Sequence, residues 1–214
     1  MLPMYWTRTQ LIYIPVVHSV ADMGSLSEVV KKEYIEKYSK EKWEEHLRII
    51  QDMWDGIRKK IDELNLNYKK VKIYQDGLPV CGREQEIVQE VAEKGSKNYE
   101  IILELMAKGA ILEGTENPGL LLEEYKYMQN ISKITNLAEK EMAIRKYEEK
   151  SRELLFQRDV YIARRIDRTL SEDEIGILFM GMKHEVDKRL PGDIIVTYLI
   201  YRLPFKASYE PARI

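Results

Sequence analysis

The stretch Leu155-Phe-Gln-Arg158-Asp159-Val-Tyr-Ile162-Ala-Arg-Arg-Ile166-Asp-Arg-Thr-Leu170, followed by Gly176-Ile-Leu-Phe-Met180-Gly181-Met-Lys-His184, decides how this chain is read. Leu155, Ile162, Ile166 and Leu170 recur at helical spacing, which predicts a helix from about Ser151 to Leu170. The apolar run that follows, from Gly176 to Met180, reads as a strand. Working outward, the same alternation repeats. Leu11 to Val17 is short, continuous and β-branched, as a strand buried on both faces should be, although Pro15 cannot donate to a ladder. Trp43, Leu47, Ile50, Trp54, Ile57, Ile61 and Leu64 fall 4, 3, 4, 3, 4 and 3 apart, the stripe of a long helix packed on a core. Ser25-Leu-Ser-Glu28 has the capping-box pattern and starts an earlier helix through about Tyr38.

Between these lie a short strand at Val71–Tyr74 and helix from about Arg83 to Met106 with a break suggested at Gly95-Ser96. A weak strand at Gly109–Leu112 follows, then helix from Leu121 towards Arg145. Asp193 to Tyr201 reads as the last strand. Strands separated by long helices need parallel crossovers. The predicted fold is α/β: a small, mostly parallel sheet flanked by long helices, helix outweighing strand, with residues 1–214 forming one domain.

Composition excludes more than it identifies. The 214 residues carry 34 basic and 36 acidic side chains, a net charge of −2, so no field for a polyanion exists and nucleic acid is not an expected partner. One cysteine, Cys81, makes no internal disulfide and suits a reducing, cytoplasmic setting; it reads as a plain structural cysteine. Arg8, Thr9 and Gln10 interrupt the apolar N-terminus before a membrane span accumulates, so no membrane association is expected. No phosphate loop, dinucleotide fingerprint or nucleophile elbow is present.

In a parallel sheet, ligands bind beyond the carboxyl ends of the strands. His18 and Asp22 follow the first strand, Asp76 the second, Glu113 and Glu116 the third, and His184 the fourth. Two of the three histidines and several carboxylates are thus expected on one rim, where imidazole serves as base or metal ligand. His46, on the flank of the long helix, reads as a surface residue. Asp159 falls on the apolar stripe between Leu155 and Ile162, and a carboxylate there must be paired or line a pocket. Arg158 adjoins it and suits an anionic group or a catalytic carboxylate.

These motifs resemble the superfamily of TraB, Tiki, erythromycin-esterase and ChaN-like proteins. The likeness lies in the Arg158-Asp159 helix with Ala163 and Ile166, the strand running from Gly176 through Gly181 to His184, and Ile-Pro15-Val-Val-His18 in place of a Gly-x-x-His. Pro15 departs from that first glycine, and the match covers about a third of the chain. The resemblance implies a carboxylate closing an intervening strand, with Glu113 the preferred counterpart and Asp76 the second. It allows peptidases that need metal, histidine–glutamate hydrolases and haem binders.

The leading expectation is a hydrolase of an amide or ester bond in a small molecule or peptide. Its centre would be His18, His184 and Glu113, around a divalent cation (Mn²⁺, Zn²⁺ or Co²⁺), with Arg158 stabilising charge or positioning a carboxylate. Asp22, Asp76, Glu116 and Asp159 would be outer ligands or orienters. Two alternatives stand beside it. One is a binder without turnover, holding an anion or haem near His184, Met180 and Met182. The other is a helical interaction protein whose Trp43–Leu64 stripe forms a partner interface, a homo-oligomer being one option; its 4-3 spacing also fits a coiled coil, but three heptads are too few to prefer that over ordinary core packing.

Overall fold

A computed structural model describes residues 9–16 and 27–201. The strands are β1 (Gln10–Val16), β2 (Val71–Gln75), β3 (Ile111–Leu112), β4 (Ile175–Gly181) and β5 (Ile195–Tyr198). The helices are α1 (Ser27–Lys37), α2 (Lys40–Glu63), α3 (Glu84–Glu93), α4 (Lys97–Ala107), α5 (Pro118–Lys133) and α6 (Leu137–Thr169). The strands form one sheet in the order β3-β2-β4-β1-β5, and every pairing is parallel. The fold is therefore a helix-dominated α/β fold. Because all strands run the same way, all their carboxyl ends meet on one edge.

Side chains alternate across the sheet and sort the core into two layers. Ile12, Ile14, Ile73, Ile177 and Phe179 face α2, α3 and α4, meeting Ile50, Trp54, Ile57, Val88 and Ile102. Leu11, Tyr13, Tyr74, Leu178 and Met180 face the other way and meet Ile162, Ala163 and Ile166 of α6. The stripe on α2 thus packs into the first layer, where Ile50, Trp54, Ile57 and Ile61 are each almost wholly buried.

Pro15 lies inside β1 in spite of its missing N–H, and the ladder explains why. Thr9 and Tyr13 accept from Ile195 and Leu199 through their carbonyls, so odd-numbered residues of β1 turn their backbone groups towards β5. Pro15 is odd as well, and its register with β5 has run out, since that pairing ends at Tyr13–Tyr198. No donor is missed.

Helix boundaries follow local chemistry. The break between α3 and α4 falls at Gly95, whose φ of 92° belongs to the left-handed region, and Ser96 caps α4 by accepting from the Tyr99 N–H. Asn117 caps α5, with Pro118 in its first turn. The largest departure from expectation is α6. The sequence suggested one charged helix ending near Arg145 and another from Ser151, whereas Leu137 to Thr169 is a single helix of 33 residues, about 50 Å long. It contains neither glycine nor proline to interrupt it. Among the described residues no helix is long and apolar enough to cross a membrane.

Candidate functional site

The carboxyl edge of the sheet holds a cluster of charged groups that are almost entirely removed from water. Asp76 follows β2, Glu116 lies beyond β3, Arg158 and Asp159 stand on α6, and His184 follows β4. Exposure is 5% for Asp76, 0% for Glu116, 7% for Arg158 and 1% for Asp159; the His184 side chain is 5% exposed.

Arg158 is the hub. Its Nε donates to Glu116 Oε2 at 2.9 Å, its Nη2 to Glu116 Oε1 at 2.5 Å and Asp76 Oδ1 at 2.8 Å, and its Nη1 to Glu124 Oε2 at 2.6 Å. Buried charges persist only when paired and hydrogen-bonded, and here one guanidinium fork serves three carboxylates. Backbone donors complete the set. Gly181 N–H donates to Asp76 Oδ2 at 2.9 Å and Gly77 N–H to Glu116 Oε1 at 3.1 Å. The loops after β2 and β3 are stitched together by the N–H groups of Thr115 and Glu116, both donating to the Leu78 carbonyl. That fixes Glu116 over the end of β2.

His184 is gripped from the α6 side. Its Nδ1 is 2.5 Å from Asp159 Oδ1, and Asp159 Oδ2 accepts from the Glu185 N–H at 2.9 Å. Its Nε2 is 3.5 Å from Asp76 Oδ1, longer than the roughly 2.9 Å of an ordinary N–H···O bond. Nε2 is therefore the less committed ring nitrogen. Burial lowers the His184 pKa, but hydrogen bonds to Asp159 and Asp76 outweigh it and hold the imidazole at about 9. Burial also raises Glu116 above the usual carboxylate range, against the pull of Arg158.

The expected site residues divide sharply. Asp76, Glu116, Arg158, Asp159 and His184 come together. His18 and Asp22 lie outside the described residues. Glu113 stands apart: its carboxylate takes Lys72 Nζ at 3.1 Å and Arg165 Nη2 at 2.9 Å. The reason is one of level. Glu113 N–H still donates to the Ile73 carbonyl, so Glu113 sits beside β2 rather than beyond it. Arg158 and Arg165 are seven residues apart on α6, about 10.5 Å, and Glu116 and Glu113 are the two carboxylates that face them in turn. Two parallel rungs result, Arg165–Glu113 at sheet level and Arg158–Glu116 at the rim.

Glu124 was not singled out from sequence. It sits on α5, where it also accepts from the Tyr147 hydroxyl at 2.9 Å, and its only sequence signal is a position nearly two turns past the Asn117-Pro118 helix start. Met180 is fully buried in the α6-side layer, whereas Met182 is exposed.

Asp76, Glu116 and His184 each offer a ligand atom, all within 4.8 Å of one another. The donor set suits a divalent cation in kind, but Arg158 already occupies the two carboxylates and would have to yield them. Neither a protein-family model, nor a curated protein, nor a solved structure matches this chain.

Proposed function

We propose that this rim is a hydrolytic acid–base centre acting on an ester or amide carbonyl, with His184 as the proton carrier and Asp159 as the group that orients it. The observation that carries this reading is the buried Asp159–His184 pair, whose second ring nitrogen faces the cluster at strand ends where parallel sheets bind ligands. A histidine fixed by a carboxylate through one nitrogen presents the other in a defined tautomer and direction. In the reaction, the neutral imidazole, formed as pH rises through about 9, accepts a proton at Nε2 as water adds to the carbonyl carbon, then returns it to the departing alcohol or amine as the C–O or C–N bond breaks.

The other residues hold this arrangement. Arg158 is engaged by three carboxylates, so its part is to position Asp76 and Glu116 rather than to receive the substrate's developing charge. The motif resemblance to the TraB, Tiki, erythromycin-esterase and ChaN-like superfamily supports the same chemistry, with Glu116 in the place that sequence alone gave to Glu113. His18 is retained from the sequence alone.

A second reading, a divalent cation held by Asp76, Glu116 and His184, is favoured by the spacing of their ligand atoms. One experiment separates the two. The purified protein is assayed against p-nitrophenyl esters and amino-acid p-nitroanilides, with and without EDTA, alongside His184→Ala and Asp159→Asn. Turnover that survives EDTA and falls at least about 100-fold in His184→Ala supports the acid–base centre. Turnover abolished by EDTA and restored by Mn²⁺, Zn²⁺ or Co²⁺ supports the cation. Hydrolysis that His184→Ala leaves unchanged refutes both.

A further inference from the structure

Glu124 differs from the other two carboxylates that Arg158 holds. Asp76 and Glu116 follow strands of the sheet, whereas Glu124 stands on α5, a helix none of whose residues is fully buried. Its carboxylate is nevertheless held at both oxygens. Oε1 accepts from the Tyr147 hydroxyl at 2.9 Å and Oε2 from Arg158 Nη1 at 2.6 Å. Tyr147 and Arg158 are eleven residues apart on α6, about three turns, and so share one side of that helix. The Tyr147 ring is itself set against Tyr127 of α5, centroids 6.0 Å apart. Glu124 is thus clamped between two points of α6.

That clamp bears on how Asp76 is shared. Two donors lie near Asp76 Oδ1: Arg158 Nη2 at 2.8 Å and His184 Nε2 at 3.5 Å. The first is a full charge-assisted hydrogen bond, and the second is too long to be one. Which donor holds the oxygen depends on the tilt of the guanidinium plane. Nε and Nη2 both meet Glu116, and contacts to a single carboxylate leave the plane able to pivot about it. Nη1 on Glu124 is the third point, and three points fix a plane. With it, Nη2 is aimed at Asp76 as well as Glu116. Without it, Oδ1 loses its closer donor while Gly181 N–H still holds Oδ2 at 2.9 Å, and the His184 Nε2–H is the next partner within reach.

We propose that Glu124 is a positioning residue of this centre: through Arg158 it keeps Asp76 from closing onto His184 Nε2, the ring nitrogen that exchanges a proton with water and leaving group. This rests on the hydrolytic reading above. A carboxylate bonded to Nε2–H keeps the proton there and stands where the attacking water must come. Glu123, one residue earlier, has no such part, since it pairs with Lys150 at 3.6 Å.

The test compares wild type with Glu124→Ala, Glu124→Gln, Glu123→Gln and His184→Ala at about pH 9, where neutral imidazole is present. The probes are p-nitrophenyl acetate and alanine p-nitroanilide. The expected result is a kcat about 10- to 100-fold lower in Glu124→Ala, the effect of a misplaced group, with KM within about twofold of wild type. Glu124→Gln still accepts from Arg158 and meets the Tyr147 oxygen, so its kcat returns to within about fivefold of wild type. Glu123→Gln keeps the wild-type kcat. The His184 ring reads the same event without turnover. In isotope-labelled protein at neutral pH, the Nε2–H resonance of Glu124→Ala moves downfield and exchanges with water more slowly than in wild type. A wild-type kcat in Glu124→Ala, with His184→Ala inactive, overturns the role of Glu124 and leaves the hydrolytic reading standing. An unchanged Nε2–H resonance overturns that role too, whatever the rates, as does a Glu124→Gln as impaired as Glu124→Ala. Hydrolysis indifferent to His184→Ala overturns both readings.

Discussion

Replacing Arg158 with methionine, close in length but without charge, tests whether the rim is held by one guanidinium. The side chain makes four hydrogen bonds to three carboxylates. Two of these acids, Asp76 and Glu116, are 5% and 0% exposed, and water cannot take the place of the lost donors without opening the site. Breaking a buried pair from one side costs about 3–5 kcal/mol, because the remaining charges are left desolvated and unpaired. At this chain length that corresponds to a melting temperature lower by roughly 10 °C. The loss should depend on pH. Glu116 is already raised by burial, and without Arg158 it rises further, so the variant recovers stability by binding a proton as pH falls. Urea unfolding at about pH 7.5 and about pH 5 measures both effects, and the deficit should be clearly smaller at the lower pH. Adding Glu116→Gln to Arg158→Met should restore part of the loss at about pH 7.5, since it removes one of the stranded charges. A single variant within about 1 kcal/mol of wild type at about pH 7.5 would refute the argument that Arg158 holds the cluster.

Wild-type stability should itself fall on the alkaline side. His184 is raised from 6.5 to about 9 on folding, so its contribution is complete below about pH 6.5 and is lost as pH rises through about 9, by at most about 3 kcal/mol. Urea midpoints across that window should show the loss, and Asp159→Asn should remove most of it. The two glutamates after β3 should separate by assay: Glu116→Gln lowers hydrolysis of p-nitrophenyl acetate at least about tenfold, whereas Glu113→Gln keeps it. Gly176→Ala should destabilise by about 1–3 kcal/mol, because a Cβ there would lie 2.5 Å from Leu11 Cδ1 and 3.0 Å from Leu170 Cδ2. Gly192→Ala, with nothing within 4 Å, is the control that urea unfolding should leave unchanged.

The fold was legible because burial leaves a periodic trace. Ile50, Trp54, Ile57 and Ile61 recur at helical spacing because one face of α2 meets the sheet, and Ile177 to Met180 are continuously apolar because β4 is covered on both sides. Continuity between helical segments leaves no such trace. Residues 145–150 carry charges on every side, so the stripe lapses there and suggested a break. The backbone of α6 continues through them because they include no glycine or proline and are mostly strong helix formers, arginine, lysine and glutamate.

The site was legible only in part, because a residue's level along the sheet depends on how far pairing runs, and pairing is not written in composition. Glu113 follows the last apolar residue of β3 and so looks like the strand's end. Its N–H still donates to Ile73, which keeps it one rung below the rim. Asp159 was easier to find, since a carboxylate on an apolar stripe demands a partner, and His184 Nδ1 is that partner. The same reasoning had no hold on Tyr13, for a tyrosine in an apolar run looks like core. Only the neighbouring elements distinguish it from Tyr74. Thr169, at the end of α6, supplies Tyr74 with a partner, while the turn after β4 and the middle of α6 bring Asp187 and Asp159 near Tyr13 instead. Two tyrosines on one face of one sheet therefore differ in chemistry through what stands above each strand.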